Sequence, residues 1–376
     1  MFICTVFCIF GTNSVNVRQF TPHKSLDKLP PKRKDVESIE ILRQTNKTTG
    51  ALAELKGIAK TIPNQIMLVN AIVLKEAKDS SEIENIITTN DELYRALTIN
   101  RSFVSPATKE VINYRKAIFK GFNLLDNQGF LKVNDIVCIQ QELVDNKAGI
   151  RNTPGTVLKN DKTDEIVYVP PQNKEEILDL MSNFIVHFNN AESDLSPLIN
   201  LAILHYQFES IHPFYDGNGR TGRILNILYL MMNDLIDLPI LYLSSYIIDN
   251  KQDYYRLLNL TNMTGKWEEW IIFMLKAIET TSKQTIVRIN SIRNLLDETI
   301  EKVQKLAPRI YQKELVELLF EQPYSKIEFV VNRLKVERKA ASRYLWEIEK
   351  TGILESRKIG RETLFINKNL IKLLQE

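Results

Sequence analysis

The sequence predicts a mainly α-helical protein with a few short β elements. Apolar residues recur at intervals of three and four along many long segments, which is the spacing of one helix face. Glycine and proline, which interrupt helices, number only 13 each in 376 residues. A hydrophobic content of 44% with 25% charged residues is typical of a globular protein, and the length suggests two or three domains.

Residues 1–34 are predicted to be a flexible lead-in. The first ten are apolar but lack a basic stretch and are too short to cross a membrane, so a disordered or misassigned start is expected. Prolines and lysines in 21–34 indicate extended chain. Three cysteines are too few for a disulfide framework, which favours a cytoplasmic location, and no segment predicts insertion into a membrane.

A helical region is predicted at residues 35–100, followed by a helical core at 101–285. Near the end of the first region, Ser81 and Glu84 have the spacing of a capping box. A new helix is therefore expected to begin near Asp79. The other helices predicted in these regions lie at about 35–60, 63–78, 106–126 and 134–146.

The most unusual segment, His212–Arg223, joins two helical patterns. Before it, residues 197–210 carry an apolar stripe, and after it, Ile224 to Met232 are apolar almost all round, as in a buried helix. Three glycines, two arginines, a carboxylate and a histidine lie between these patterns. The sequence therefore predicts a helix, a tight loop and a buried helix.

The predicted loop has the groups that bind a polyphosphate. Gly217 and Gly219 enter the second helix, where backbone N–H groups without intrahelical partners attract an anion. Arg220 and Arg223 lie on its first turn and can each bind phosphate oxygens. The spacing of Gly217–Gly222 also satisfies the dinucleotide-binding fingerprint, but that fingerprint requires a preceding strand, and here a helix precedes it.

Asp216 and His212 add the remaining chemical groups. Asp216 is a candidate ligand for Mg²⁺, which typically binds one carboxylate together with substrate phosphates. His212 is the nearby side chain suited to accept a proton from a hydroxyl at neutral pH. A base, a metal ligand and an anion site together indicate nucleotidyl or phosphoryl transfer.

His212–Arg223 resembles the signature of the Fic family, H-x-F-x-[DE]-G-N-G-R-x-x-R, and matches it at every specified position. The resemblance implies a helical Fic fold and the transfer of AMP from ATP to a protein hydroxyl, with Mg²⁺ bound. The intact G-N-G disfavours the branch of the family that phosphorylates. The implied roles are a general base at His212, a core anchor at Phe214, a metal ligand at Asp216, a phosphate-binding hole at Gly217, Asn218 and Gly219, and phosphate-binding arginines at Arg220 and Arg223.

The segment Ser80-x-x-x-Glu84-Asn85 resembles the inhibitory motif [ST]-x-x-x-E-[GN] that lies upstream of the core in many Fic proteins. The resemblance implies that Glu84 pairs with Arg223 and blocks the position of the γ-phosphate. A carboxylate is a natural competitor for an anion site. Helix capping and inhibition by Glu84 are compatible.

Further candidate sites lie on both sides of the signature. Two strand-like runs in 157–169 predict a β-hairpin, and its position resembles the Fic flap, where a target protein adds a strand. His187 and His205 are interpreted as structural. Aromatic residues at helical spacing after the signature are more often core than ligand contacts. Resemblance to the family nevertheless makes four residues candidates for an adenosine pocket, namely Asn250, Tyr254, Tyr255 and Asn262.

A long charged helix is predicted to connect the core to residues 308–376. There, three helix-like segments precede two strand-like runs with Gly360 at their turn, which is the order of a winged helix-turn-helix domain. The domain carries 14 Lys and Arg against 10 Asp and Glu, a net charge of +4. DNA contact and protein docking both remain open, because such domains serve either. The basic candidates are Arg338, Lys339 and Arg343, beside Trp346, on the recognition helix and Arg357, Lys358 and Arg361 on the wing.

Together, these patterns predict a protein adenylyltransferase that modifies a Ser, Thr or Tyr hydroxyl and is inhibited by Glu84. One alternative is an enzyme of the same fold that removes AMP. Another is a DNA-binding transcriptional regulator with an inactive Fic part, which the complete His212–Arg223 set disfavours. The sequence leaves open both the identity of the target protein and the formation of a homodimer.

Overall fold

The computed structural model describes residues 4–8, 26–62, 64–99, 104–160, 164–190 and 193–375. These residues form a mainly helical fold, as the sequence predicts. The N-terminal and core helices are α1 (Arg33–Val36), α2 (Ile39–Ala59), α3 (Gln65–Ile83), α4 (Asn90–Thr98), α5 (Pro106–Gln128), α6 (Val133–Val144), α7 (Lys174–Phe188), α8 (Pro197–Ile211), α9 (Asn218–Met232), α10 (Leu243–Asp249), α11 (Lys251–Thr264) and α12 (Glu268–Leu306).

Helices α8 and α9 form the centre of the core. α8 begins after Ser196, whose hydroxyl accepts a hydrogen bond from the Leu198 N–H, and Pro197 occupies its first turn, where a missing N–H is harmless. It ends because His212 adopts the left-handed conformation, with φ of 49°. Nearly all residues of both helices are buried, as the apolar patterns predict. The loop between them is therefore anchored in the core at both ends.

The expectation that a helix begins near Asp79 is wrong, because α3 continues through that segment to Ile83. Glu84 caps the C-terminus of α3, and Asn85 follows with a left-handed φ of 62°, which asparagine tolerates better than most residues. Ser80 is fully buried in the last turn of α3. The segment that resembles the inhibitory motif is thus the end of one helix, packed against the core.

A buried carboxylate fixes α3 against α5 and α10. Glu76 accepts hydrogen bonds from the Tyr114 hydroxyl at 3.0 Å and from the hydroxyl and backbone N–H of Ser244 at 2.5 and 3.2 Å. Burial raises the pKa of Glu76 to about 7. These bonds join α3 to two neighbouring helices one turn before the motif.

The predicted hairpin is part of an antiparallel sheet of three strands. β1 (Cys4–Cys8) pairs with β2 (Thr156–Asn160), which pairs with β3 (Ile166–Tyr168). β2 and β3 confirm the hairpin, and its turn at 161–163 lies outside the described residues. The strand order leaves β2 in the middle of the sheet, with a neighbour on each edge.

Strand β1 corrects the expectation of a wholly flexible lead-in. Its five residues pair in regular register with β2, from Cys4 opposite Asn160 to Cys8 opposite Thr156. A strand forms there because β2 offers an edge of unpaired backbone groups, which a second strand satisfies. The rest of the predicted lead-in up to residue 25 lies outside the described residues.

The C-terminal residues have the element order that the sequence predicts, and they pack against α4. The Tyr324 ring stacks on Tyr94 with centroids 5.5 Å apart, and its hydroxyl donates to Asp91 at 2.7 Å. No helix in the described part of the chain combines the length and the apolar character needed to span a membrane. The elements are α13 (Lys313–Glu321), β4 (Tyr324–Ser325), α14 (Ile327–Leu334), α15 (Arg338–Lys350), β5 (Leu354–Ile359), β6 (Glu362–Asn367) and α16 (Lys368–Gln375), with a sheet in the order β4-β6-β5.

Candidate active site

His212 lies at the junction between α8 and the loop that follows. Arg151, which is fully buried, donates from Nε to the His212 carbonyl at 2.7 Å and from its backbone N–H to the Pro213 carbonyl at 2.9 Å. Burial and then the charge of Arg151 lower the pKa of His212 to about 3. The imidazole is therefore neutral at pH 7 and able to accept a proton.

The loop between α8 and α9 is held in one conformation by its own residues. Asn218 Oδ1 accepts from the Phe214 N–H, and Asn218 Nδ2 donates to the Phe214 carbonyl, both at 2.8 Å. Gln140 of α6 donates to the Asp216 carbonyl at 2.9 Å. Gly217 has a left-handed φ of 79°, which favours glycine. The Asn218 side chain thus fixes the loop, which leaves its backbone N–H at the start of α9 as the group that could meet an anion.

Arg223 is buried below this loop and binds the end of α3. Its Nε donates to the Ser80 hydroxyl at 2.7 Å, and its Nη2 donates to the Ser80 carbonyl and to Glu84 Oε1, both at 2.9 Å. Burial acts to lower the pKa of Arg223, but nearby groups, Glu84 foremost, raise it, so the guanidinium stays charged. Glu84 Oε1 also lies 2.5 Å from the point where a Cβ on Gly219 would stand. The Glu84 carboxylate therefore rests on the first turn of α9, where an anion would bind.

Arg220 is bound by two other carboxylates. Its Nη1 donates to Glu110 Oε2 at 2.7 Å, and its Nη2 donates to Asp216 Oδ1 at 3.3 Å. The Arg220 side chain is 3% exposed, whereas the Asp216 side chain is 66% exposed. Each signature arginine is thus held in place by protein carboxylates, and Asp216 keeps most of its surface open.

One cavity of about 350 Å³ brings most of the predicted site residues together. Leu158 of β2 and Leu258 of α11 contribute apolar surface to its walls. The predicted residues that line it are Glu84, His212, Asp216, Gly217, Asn218, Gly219, Arg220, Arg223, Tyr254 and Tyr255.

The four adenosine-pocket candidates divide into two pairs. Tyr254 and Tyr255 line the cavity, although Tyr254 is 1% exposed and its hydroxyl lies 2.9 Å from His205 Nε2, so it is mainly a core residue. Asn250 and Asn262 are not among the described residues that line the cavity. Asn250 instead donates to a carbonyl of α10, and Asn262 accepts hydrogen bonds from side chains of α8.

The cavity fits a magnesium ion that arrives with a phosphate ligand. In the described ranges, no three His, Cys, Asp or Glu side chains form a group that could hold a metal by themselves. The exposed carboxylate of Asp216 faces the same cavity as the start of α9. Because Mg²⁺ keeps several waters and often takes only one or two carboxylates beside phosphate oxygens, Asp216 suffices as its protein ligand.

Comparisons with known protein families agree with this geometry. The profile described as Fic/DOC family matches residues 130–230, and the profile described as Fic/DOC family N-terminal matches residues 42–123. A third, described as Protein adenylyltransferase SoFic-like, C-terminal domain, matches residues 295–370. The chain therefore carries Fic/DOC family domains.

Curated relatives resemble part of this Fic/DOC protein. It is 30% identical over 120 residues to Protein adenylyltransferase fic-1 of Caenorhabditis elegans, a match that covers 31% of this chain and 22% of the relative. It is 36% identical over 121 residues to Protein adenylyltransferase Fic of Drosophila virilis, covering 30% of this chain and 22% of the relative. The matched part of the chain thus spans about a fifth of the length of these relatives.

Solved structures share the fold of the Fic/DOC protein. A Fic family protein from Desulfovibrio desulfuricans G20 superposes with a TM-score of 0.57 at 17% identity, covering 90% of this chain and 98% of that one. Fic-1 from C. elegans superposes with a TM-score of 0.52 at 20% identity, covering 67% of this chain and 74% of that one. At these identities the comparison establishes the fold alone.

Sequence reasoning missed three residues of this Fic/DOC site. Glu110 pairs with Arg220, and Arg151 binds the His212 carbonyl, but both lie far away in sequence and meet the site only through the tertiary fold. Glu209 lines the cavity at 8% exposure, and burial raises its pKa to about 7. Its position in the last turn of α8, three residues before His212, is the signal that could have identified it.

Proposed function

We propose that this Fic/DOC protein transfers AMP from ATP to a Ser, Thr or Tyr hydroxyl of a target protein. The observation that supports this most strongly is the shared cavity of His212, Asp216 and the start of α9. A neutral imidazole, an exposed carboxylate and an anion-binding helix end are the groups that nucleotidyl transfer requires. Proteins named adenylyltransferases are among its relatives, which agrees with this chemistry.

In the proposed reaction, the target hydroxyl attacks the α-phosphorus of ATP. His212 accepts the hydroxyl proton as the new oxygen–phosphorus bond forms, and the bond from the α-phosphorus to the β-phosphate oxygen breaks to release pyrophosphate. Arg220 and Arg223 bind the β- and γ-phosphate oxygens, and the backbone N–H groups at the start of α9 bind the phosphates that lie over them. Mg²⁺ held by Asp216 supplies neutralising charge to these oxygens when it is bound.

The low pKa of His212 is consistent with this role. Without a ligand, burial and Arg151 favour the neutral imidazole. Anionic phosphates near the ring favour its charged form, so nucleotide binding raises the pKa of His212 toward the range in which a general base is effective. The base is therefore activated by the substrate beside which it acts.

We also propose that Glu84 inhibits this activity. Its carboxylate pairs with Arg223 and rests against Gly219, which is the space that the γ-phosphate needs. ATP must displace that carboxylate to engage Arg223. Because Glu84 is part of the same chain, it competes at a high effective concentration.

The flap offers the site where we propose that the target docks. β2 and β3 lie beside the cavity, and Leu158 of β2 contributes to its wall. One edge of β2 is already paired with β1 and the other with β3, so a target strand must add at an outer edge of the sheet, and we propose the edge of β3. The hydroxyl of such a strand would approach His212 from the flap side of the cavity.

Radiolabelled ATP distinguishes this function from its alternatives. The Glu84→Gly variant is incubated with a cell lysate and with ATP labelled at either the α- or the γ-phosphate, and a Glu84→Gly/His212→Ala variant serves as control. Protein labelled only from the α-position, and only when His212 is present, supports adenylyl transfer. Labelling from the γ-position would indicate a kinase. Removal of AMP from a pre-labelled lysate by the wild type, which keeps Glu84 to orient a water molecule, would indicate the reverse activity.

A further inference from the structure

A second and larger cavity, of about 540 Å³, borders α3 at Lys75, Asp79 and Glu82. Its walls come from α3, α10 and α12, and α16 of the C-terminal domain adds one side chain. The volume lies in the range of sites for small organic ligands. The lining residues that matter here are Lys75, Asp79, Tyr242, Ser245, Arg288 and Ser291.

Arg288 is the feature of this cavity that calls for a ligand. It is only 9% exposed, yet it makes no hydrogen bond or ion pair with any residue that the structure describes. Its guanidinium lies over the Tyr242 ring, 5.3 Å from the centroid, and borders the cavity. A buried cation without an anionic partner is costly, and the ring face compensates only part of that cost.

A second cation lies on the same aromatic ring. Lys75 Nζ is 5.9 Å from the Tyr242 centroid and 3.4 Å from Asp79 Oδ2. The hydroxyls of Ser245 and Ser291 also line the cavity and can donate hydrogen bonds. Two cations and two hydroxyls around one space form the donor set of a carboxylate or phosphate site.

The acidic side chains of the cavity leave this donor set available. Asp79 is paired with Lys75, and burial raises the pKa of Asp79. Glu82 is paired with Lys78 and is 40% exposed, and Asp249 is exposed at the rim. In the buried part of the cavity, Arg288 is thus the charged group for which the described residues supply no counter-ion.

We infer that this cavity binds a small organic anion whose carboxylate or phosphate group pairs with Arg288 and Lys75. Such a ligand would connect α12, through Arg288, to α3, through Lys75. Lys75 precedes Ser80 by about one and a half turns and Glu84 by about two and a half turns of α3, so the connection holds the end of α3 against Arg223. This regulatory consequence rests on the proposed function, whereas the binding itself does not.

The binding test uses the full-length protein with Mg²⁺ and saturating α,β-methylene ATP, which occupies the active site and is not cleaved there. Inorganic phosphate is followed by phosphorus NMR line broadening, and acetate by saturation-transfer NMR. Arg288→Gln removes the cation. Ser291→Phe keeps Arg288 but fills the cavity with a larger side chain. Lys283→Gln removes an exposed cation of the same helix, paired with Glu279, and is the matched control.

At least one anion should bind the wild type and the Lys283→Gln variant, with affinity lowered about tenfold or more in both cavity variants. Circular dichroism checks that the variants are folded. If Arg288→Gln is unstable, Ser291→Phe still tests the cavity, because it retains Arg288. Failure of both anions to bind the wild type, or equal binding by all variants, would overturn the site.

The regulatory part has its own readout. Saturating anion should lower adenylyl transfer by the wild type but leave the Arg288→Gln variant unaffected. If no variant transfers AMP, the proposed function fails while the NMR result on the cavity stands. Transfer that responds equally to the anion in both proteins would overturn the link between the cavity and α3.

Discussion

Glu84 and Arg223 are joined at 2.9 Å across the start of α9, and the same carboxylate lies against Gly219. Ser80 adds two more hydrogen bonds to the guanidinium. Charge-assisted hydrogen bonds are roughly twice as strong as neutral ones, so this contact is a strong competitor for any anion. The energy of the contact must be offset by whatever ligand replaces it.

Replacing Glu84 by glycine should raise AMP transfer by about tenfold or more, because it frees Arg223 and the space over α9 for the γ-phosphate. The rate is measured as AMP incorporated from labelled ATP. Lys78→Gly is the matched control, since it places a glycine in the same helix at a partly exposed position away from Arg223. Equal rates in the two variants would show that loosening of α3, rather than loss of the carboxylate, causes any increase.

The Arg223→Ala variant separates release of the site from loss of ligand binding. It removes the partner of Glu84, but it also removes a group that the phosphates need. Transfer should therefore stay low, and the Glu84→Gly/Arg223→Ala double variant should be as inactive as Arg223→Ala alone. A double variant as active as Glu84→Gly would mean that Arg223 does not bind ATP.

The Gly219→Ala substitution tests whether Glu84 and the nucleotide use the same space. An added Cβ would lie 2.5 Å from Glu84 Oε1 and 3.0 Å from Arg223 Nη1, so it intrudes on the anion position. In the Glu84→Gly background we expect it to lower transfer and weaken ATP binding in calorimetry. Undiminished binding of ATP would place the phosphates elsewhere in the cavity.

Glu209 should make folding stability depend on pH in a defined direction. Burial raises the pKa of Glu209 from its ordinary value of 4.5 to about 7, so its favourable contribution is complete below pH 4.5 and is lost as the pH rises through 7. Glu209→Gln should therefore gain stability relative to the wild type between pH 5 and pH 8, on the order of 2 kcal/mol. Urea unfolding at both pH values measures this gain, and Glu175→Gln, at an exposed position, should show none.

We propose DNA as the partner of the C-terminal domain because Arg338, Lys339 and Arg343 are exposed along α15. Affinity for duplex DNA should fall at least tenfold between about 50 and 200 mM salt and should fall again when all three become alanine. Arg357→Ala should lower the affinity for DNA less, because Arg357 already lies 3.6 Å from Asp91 of α4. Binding that does not depend on salt, or its absence at low salt, would favour a protein partner instead.

Local pattern was enough to predict the helices around the signature and the hairpin. The apolar stripe of α8 and the buried character of α9 follow from side chains that are neighbours along one helix face. The spacing of Ser81 and Glu84, by contrast, led to the wrong prediction of a helix start near Asp79. It satisfies a helix start, but the structure continues α3 through it because Ser80 and the adjacent turn are buried against Arg223.

Contacts between distant segments could not be predicted in this way. Nothing near Glu110 or Arg151 in sequence indicates a role, since each reaches the site from another helix or loop. The strand β1 was missed because its partner edge exists only after the hairpin has formed. The unpartnered Arg288 is likewise visible only once α3, α10 and α12 have packed together.

Helix α12 is one uninterrupted segment of 39 residues, which at about 1.5 Å per residue is about 58 Å long. Trp270, near its start, donates to the Ala202 carbonyl of α8, and α12 also contacts α13 and α16. The core and the C-terminal domain are therefore connected by one continuous helix rather than by a flexible linker. Under the proposed function, a molecule bound by the C-terminal domain would lie at a set distance and angle from His212, and the length of α12 would decide which of its hydroxyls reach the cavity.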